Sequence, residues 1–320
     1  MIVDMPATTT GNVSRRIVEL RKSGGAVTLG RVLTLVIATD DDMQTETVID
    51  AANAASREHP CRVIVLAKGA RKAATRLDAQ IRVGGDSGAS EVVVLRLYGP
   101  LAEHAESVAV PFLLPDTPVV AWWPGEPPAD PARDPIGMLA GRRITDAAAA
   151  RNPSKALTQR QLSYTAGDTD LAWSRITAWR ALLASALDQP PYEHVESATV
   201  TGGANSPSSD LLAGWLAAYL DVPVRRVRAG TGLGSVVLDR PSGSVALIRP
   251  AGESAVLTQP GQPDRTVALN RRQIKECLSE EMRRMDADEV YAQALQGLSL
   301  IKRSRATSAD RVVSASRTPR

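Results

Sequence analysis

The stretch Thr117-Pro-Val-Val-Ala-Trp-Trp-Pro-Gly-Glu-Pro-Pro128 decides how the chain folds. Val119 to Trp123 is an unbroken apolar run set between two prolines, the pattern of a strand buried on both faces. Pro124-Gly125 and Pro127-Pro128 end it, because proline brings no N–H to a ladder and glycine no side chain to pack. Side chains alternate along a strand, so Trp122 and Trp123 point to opposite faces at its carboxyl end. In an open α/β sheet that rim is where binding takes place. Two readings stand side by side: the rings are core, since indoles bury large areas, or they are contact groups at the rim.

On either side of this stretch the pattern is that of a doubly wound sheet. Residues 32–38 and 61–66 are apolar runs rich in β-branched residues, and 45–58 between them carries Val48, Ile49, Ala52 and Ala55 at helical spacing. Strand, helix and strand in that order imply a parallel crossover. Residues 79–83 and 91–98 read as a strand pair around the turn Gly84 to Gly88, and Pro100 opens a helix through Leu101, Ala105, Val108 and Phe112. After the Trp-Trp strand come a short helix at 136–140 and a short strand at 143–146. Residues 1–25 form an N-terminal segment, loose to residue 11 and then helical through Val13, Ile17 and Leu20 up to Gly24-Gly25. The expected fold is therefore α/β, with a mostly parallel N-terminal sheet over residues 26–166.

Asp168 and Asp170 are N-cap candidates for a connecting helix, 171–187, within a linking segment at 167–192. Trp173 and Trp179 flank Ile176 on its apolar stripe, with Arg175 and Arg180 beside them. Tryptophan and arginine are the residues most enriched at binding hot spots. The competing reading is a buried helix whose arginines pair with carboxylates. A second, smaller α/β domain follows at 193–300: strands at 196–201 and 222–227 around a helix at 209–220 with Trp215, a hairpin about Pro241-Ser-Gly243, strands at 255–257 and 265–268, and a helix at 271–297. From Lys302 to Arg320 six cations face only Asp310, which exceeds the formal surplus of +3 for the whole chain. The basic character thus belongs to a disordered Ser/Thr/Arg tail at 301–320, which argues against nucleic acid as the main partner.

Chemistry-bearing motifs are sparse. The loop Gly202 to Ser209 joins a strand to a helix, so Ser206, Ser208 and Ser209 could meet an anion there, or simply cap the helix. It has neither a P-loop lysine nor the dinucleotide spacing, and Gly230-Thr-Gly-Leu-Gly234 precedes a strand and reads as a turn. His59, His104 and His194 accompany no nucleophile elbow and no metal spacing, and Asp40-Asp41-Asp42 close a strand as a solvated loop or as catalytic acids. Cys61 and Cys277 form no disulfide framework. No cofactor or metal is expected, no run is long enough to span a membrane, and the N-terminus lacks a signal-peptide core, so a cytoplasmic protein is expected.

The order of Pro115-Asp-Thr-Pro-Val-Val-Ala-Trp-Trp-Pro-Gly-Glu-Pro-Pro128, Asp170-Leu-Ala-Trp-Ser-Arg-Ile-Thr-Ala-Trp-Arg180 and Leu211-Leu-Ala-Gly-Trp-Leu216 resembles the glucose-6-phosphate dehydrogenase assembly protein family, OpcA, over about residues 12–300. The resemblance implies a non-catalytic protein that binds glucose-6-phosphate dehydrogenase and promotes its active oligomer, feeding NADPH production in the pentose phosphate pathway. In some members that action is linked to thiol redox state, and Cys61 and Cys277 are the thiols this chain has for it. On this reading Trp122, Trp123, Trp173, Arg175, Trp179 and Arg180 are the partner-binding candidates. The alternative is a sugar-phosphate- or nucleotide-binding enzyme on the same scaffold, with its ligand in the Gly202 loop or above Asp40.

Overall fold

The computed structural model describes residues 1–23, 32–40, 44–83, 91–250 and 252–305. Gly24-Gly25, Asp41-Asp42, the Gly84 to Gly88 turn and the tail from 306 lie outside the described residues. The fold is mixed α/β, as the sequence pattern implies, and the described residues form two sheets, of eight and seven strands.

The chain divides into two compact units that do not follow sequence order: residues 1–149, 165–171 and 274–287 form the first, the remainder the second. A contiguous division at 166 and 193 cannot carry that interleaving, because it is set by long-range packing and not by local composition. The first unit holds the sheet β1-β4-β5-β3-β2-β6-β7-β8, made of β1 (Ile2–Met5), β2 (Leu33–Asp40), β3 (Cys61–Lys68), β4 (Arg76–Val83), β5 (Glu91–Tyr98), β6 (Val119–Trp122), β7 (Arg142–Thr145) and β8 (Asp168–Asp170). β1 and β4 pair antiparallel with their neighbours and every other pairing is parallel. The central strands are apolar on both faces because helices cover both. On one face α1 (Thr10–Ser23) and α3 (Ala105–Ala109) bring Val13, Ile17 and Val108 against Val36, Ile64, Val93 and Trp123. On the other, α2 (Gln44–Ser56) and α8 (Ile274–Arg283) bring Ile49, Ala52, Cys277 and Leu278 against Leu35, Ile37, Val63 and Trp122.

The second unit holds the sheet β14-β13-β12-β11-β9-β10-β15. Its strands are β9 (Ser197–Gly202), β10 (Val224–Arg228), β11 (Leu233–Asp239), β12 (Val245–Ile248), β13 (Ser254–Thr258), β14 (Arg265–Ala268) and β15 (Lys302–Arg305). It also contains α4 (Pro153–Ser163), α6 (Thr177–Leu187), α7 (Pro207–Leu220) and α9 (Glu289–Gly297), while α5 (Leu171–Ser174) begins where the chain passes from the first unit to the second. α7 and α9 cross at glycine on both sides: a Cβ on Gly297 would collide with the Gly214 carbonyl, and one on Gly214 with the Ala294 carbonyl.

Several elements differ from those the sequence pattern predicts. Residues 2–5, read as loose, are the edge strand β1, anchored by the N-terminal amine donating to the Val83 carbonyl at 2.9 Å. The helix read from Pro100 to Phe112 is α3 between two short 3-10 turns, since Pro111 cannot donate to the ladder. Asp168-Thr-Asp170, read as N-caps, is β8, and the long connecting helix is broken at Arg175-Ile176 into α5 and α6. The helix read over 271–297 is α8 and α9, split where Asp288 caps α9 by accepting from the Tyr291 N–H. Lys302–Arg305, assigned to a disordered tail, is a strand, because β10 offers it a parallel ladder that composition cannot reveal.

Gly297→Ala is expected to cost about 1–3 kcal/mol through overpacking at the α7–α9 crossing. A lowered urea midpoint would register it, whereas an unchanged midpoint would mean that the two helices separate freely.

Candidate functional site

In the first unit, β3 and β5 run outward to one side of β2, and β6, β7 and β8 to the other. The switch point therefore lies at the carboxyl ends of β2 and β6, the place where open α/β sheets bind ligands. A crevice is present there, lined by Thr39, Asp40, Lys68, Trp123 and Glu126 among others, but its volume is about 90 Å³. Ligand pockets run to roughly 300–1,000 Å³, so the crevice formed by the described residues is small for one. A larger hollow of about 350 Å³ lies by α1 and β4, walled by Thr8, Thr9, Thr10 and Thr75. The titratable group in its wall, Arg76, is already paired with Asp78 at 3.0 Å and stacked on Tyr98 at 4.3 Å.

The four tryptophans singled out in the sequence are all sealed. Trp122, Trp123, Trp173 and Trp179 are 1%, 4%, 1% and 2% exposed, so they pack the fold and are withdrawn as docking groups. Trp122 and Trp123 do face opposite sides of the sheet, in separate clusters. In the second unit Trp173 is the centre of a built cluster. Its Nε1 donates to Asp288 Oδ2 at 2.8 Å, the Arg180 guanidinium lies 3.7 Å above its ring, and Tyr291 stands 5.9 Å away. Arg180 also donates to Thr177 Oγ1, and Arg175 is half-buried at the break before α6. Trp179 sits 5.1 Å from Arg249, whose guanidinium donates to the carbonyls of Leu233 and Leu269. Burial, with Arg271 adding to it, pulls Arg249 down to about 10. The break at Arg175-Ile176 explains why periodicity misplaces these rings: it resets the helical phase, so that no single stripe runs through both.

The serines of the Gly202 loop are spent internally. Ser206 accepts from the Ser209 N–H, the Ser206 and Ser209 hydroxyls meet at 2.8 Å, and Ser208 donates to the Ala172 carbonyl. The loop carbonyls of Gly202 and Gly203 are held by Arg226, which is fully buried and also binds Asp210 Oδ1 through Nε at 2.8 Å. The loop is a capped turn clamped by an arginine from β10, and the anion reading of Ser206, Ser208 and Ser209 is corrected accordingly. Cys61 and Cys277 are both buried, and both belong to the apolar cluster under α2 and α8.

The other buried carboxylates are likewise committed. Glu91 pairs with Arg21 and Arg62, Asp168 with Arg143, Glu281 with Arg142, and Asp170 accepts from Thr145 Oγ1 and the Ala147 N–H. None of the three histidines shares a hydrogen bond with a side-chain nucleophile among the described residues, and the exposed His194–Glu196 pair stands at 4.0 Å. No helix of the described residues is long and apolar enough to cross a membrane. The arrangement is one of structural ion pairs, with ionisable groups used to hold strands and loops together.

Two family models match the chain in succession. Residues 52–162 match the N-terminal domain, and residues 166–295 the C-terminal domain, of the glucose-6-phosphate dehydrogenase subunit. No curated protein matches the chain.

Trp173→Ala is expected to destabilise the second unit by about 3–5 kcal/mol, the cost of deleting a buried ring. Urea denaturation decides between packing and docking: a variant as stable as the wild type would return Trp173 to the candidate contact groups.

Proposed function

The chain belongs to the OpcA family of glucose-6-phosphate dehydrogenase assembly proteins, and from that membership we propose that it is a non-catalytic cytoplasmic factor that binds glucose-6-phosphate dehydrogenase and favours its active oligomer. The consequence is a greater supply of NADPH from the pentose phosphate pathway. The observation that carries the reading is the pair of consecutive domain matches, which together cover residues 52–295 with almost no gap. It is supported by the commitment of the buried carboxylates to arginines and hydroxyls, a use of charge that suits a rigid binding body.

The physical mechanism is a population shift. A protein that binds the assembled form of an enzyme more tightly than the unassembled form moves the equilibrium by that difference in affinity and by nothing else. A preference of about 1.4 kcal/mol changes the ratio tenfold, which a handful of well-placed side chains can supply. Because binding and assembly are linked, the assembled enzyme must in turn hold this protein more tightly than the unassembled enzyme does.

Titration of the purified protein into its cognate dehydrogenase tests this directly. Sedimentation is expected to show a heavier species containing both chains, and dehydrogenase activity at limiting enzyme concentration to rise with it. Unchanged mass together with unchanged activity would refute the proposal.

A further inference from the structure

The edge of the second sheet carries more positive charge than the one acid bonded there among the described residues can balance. β15 is the end strand of that sheet among the described residues and runs parallel to β10 with Arg226 opposite Arg303 and Arg228 opposite Arg305. Partners in a parallel register point to the same face, so these four guanidiniums share one side, the side on which α7 places Asp210. Asp210 is the only acid bonded to any of them in the described residues, and Arg226 takes it. Burial pushes the Asp210 carboxyl up, while Arg226, Arg303 and Arg228 pull against that. The Arg226 guanidinium is pushed down first by its own burial, and Arg228 and Arg303 add to the shift. The strip therefore carries a surplus of positive charge over the single Asp210 carboxylate, with Arg228, Arg303 and Arg305 exposed.

A fold does not need this. Lysines and arginines on an edge strand discourage edge-to-edge pairing, and here Arg228 on the neighbouring strand extends the same charge inward. Like charges side by side cost free energy unless something of opposite sign sits on them. Arginine clusters on an exposed edge bind acidic chain segments by charge-assisted, bidentate hydrogen bonds. Single-stranded nucleic acid fits less well, because its recognition uses aromatic rings to stack bases and β9, β10 and β15 contain none.

We propose that the face of β10 and β15 bearing Arg228, Arg303 and Arg305 is the docking surface for an acidic segment of the dehydrogenase; this rests on the assembly reading above and adds the surface to it. The charge supplies rate and orientation of encounter more than raw affinity, so the binding is salt-sensitive.

The test uses the full chain and a double charge reversal, Arg303→Glu with Arg305→Glu, and a second variant with glutamine at both positions, each checked for an unchanged thermal midpoint. Binding to the dehydrogenase is measured by biolayer interferometry over a series of salt concentrations. A loss of about tenfold or more for the reversal, a smaller loss for the glutamine variant and a flatter salt dependence for both are expected. Wild-type affinity and salt dependence in both variants would overturn the proposal while leaving the assembly reading intact. Should the wild-type proteins fail to bind at all, the assembly reading falls and with it the dehydrogenase as occupant. An oligoglutamate peptide and a single-stranded oligonucleotide serve as independent probes of the same variants. Loss of peptide binding on reversal supports an acidic protein segment, and tighter binding of the oligonucleotide than of the peptide, abolished by the same reversal, overturns it in favour of nucleic acid.

Discussion

One buried ion pair ties α8 to the strands of the first unit. Arg142 of β7 and Glu281 of α8 meet at 2.6 Å with 3% and 4% of their side chains exposed, Thr169 of β8 donates to the same carboxylate, and Arg142 also reaches the Asp286 carbonyl. Burial pushes the Glu281 carboxyl up, and Arg142 and Thr169 draw it back. Taking two charges out of water costs several kcal/mol for each, and breaking such a pair costs about 3–5 kcal/mol because one charge is left uncompensated. What the pair adds beyond its energy is direction. Cys277, Leu278 and Met282 contribute apolar burial that any greasy groove would satisfy, whereas a carboxylate held at once by a guanidinium from β7 and a hydroxyl from β8 fixes which helix lies on which strands.

The parts of the fold legible in the sequence are those where one local signal decides. β2, β3, β5 and β6 are readable because strands covered on both faces are continuous apolar runs, and α1 and α2 because their apolar residues recur at helical spacing. Polar strands are not. β8 is Asp-Thr-Asp and β15 Lys-Arg-Ser-Arg, and each exists because a neighbour offers a ladder. α4 escapes a search for apolar stripes, although Asn152 followed by Pro153 is a helix-start signal, which Asn152 fulfils by accepting from the Lys155 N–H. The candidate site is harder still. Residue type and scarcity single out Trp122, Trp123, Trp173 and Trp179, but the same qualities suit a ring for a core, and only the packing around each ring distinguishes the two.

The distribution of charge separates two jobs. Inside, arginines pair with acids or carbonyls: Arg142, Arg143, Arg226 and Arg249 each pin a loop or a helix to a strand. On the surface of the second sheet, Arg228, Arg303 and Arg305 pin nothing within the described residues. A chain with so few aromatic residues, 3% by composition, has little apolar material to spare for contact patches. Guanidinium groups, which combine flat stacking surface with fixed hydrogen-bond geometry, are the natural substitute.

The late position of α8 has a consequence for biosynthesis. Residues 274–287 complete a unit whose other segments all end by residue 171. Synthesis proceeds from the N-terminus at roughly 5–20 residues per second, so the nascent first sheet waits on the order of ten seconds for its last helix. Throughout that interval the bed for Leu278 and Met282 is uncovered and Arg142 lacks its acid.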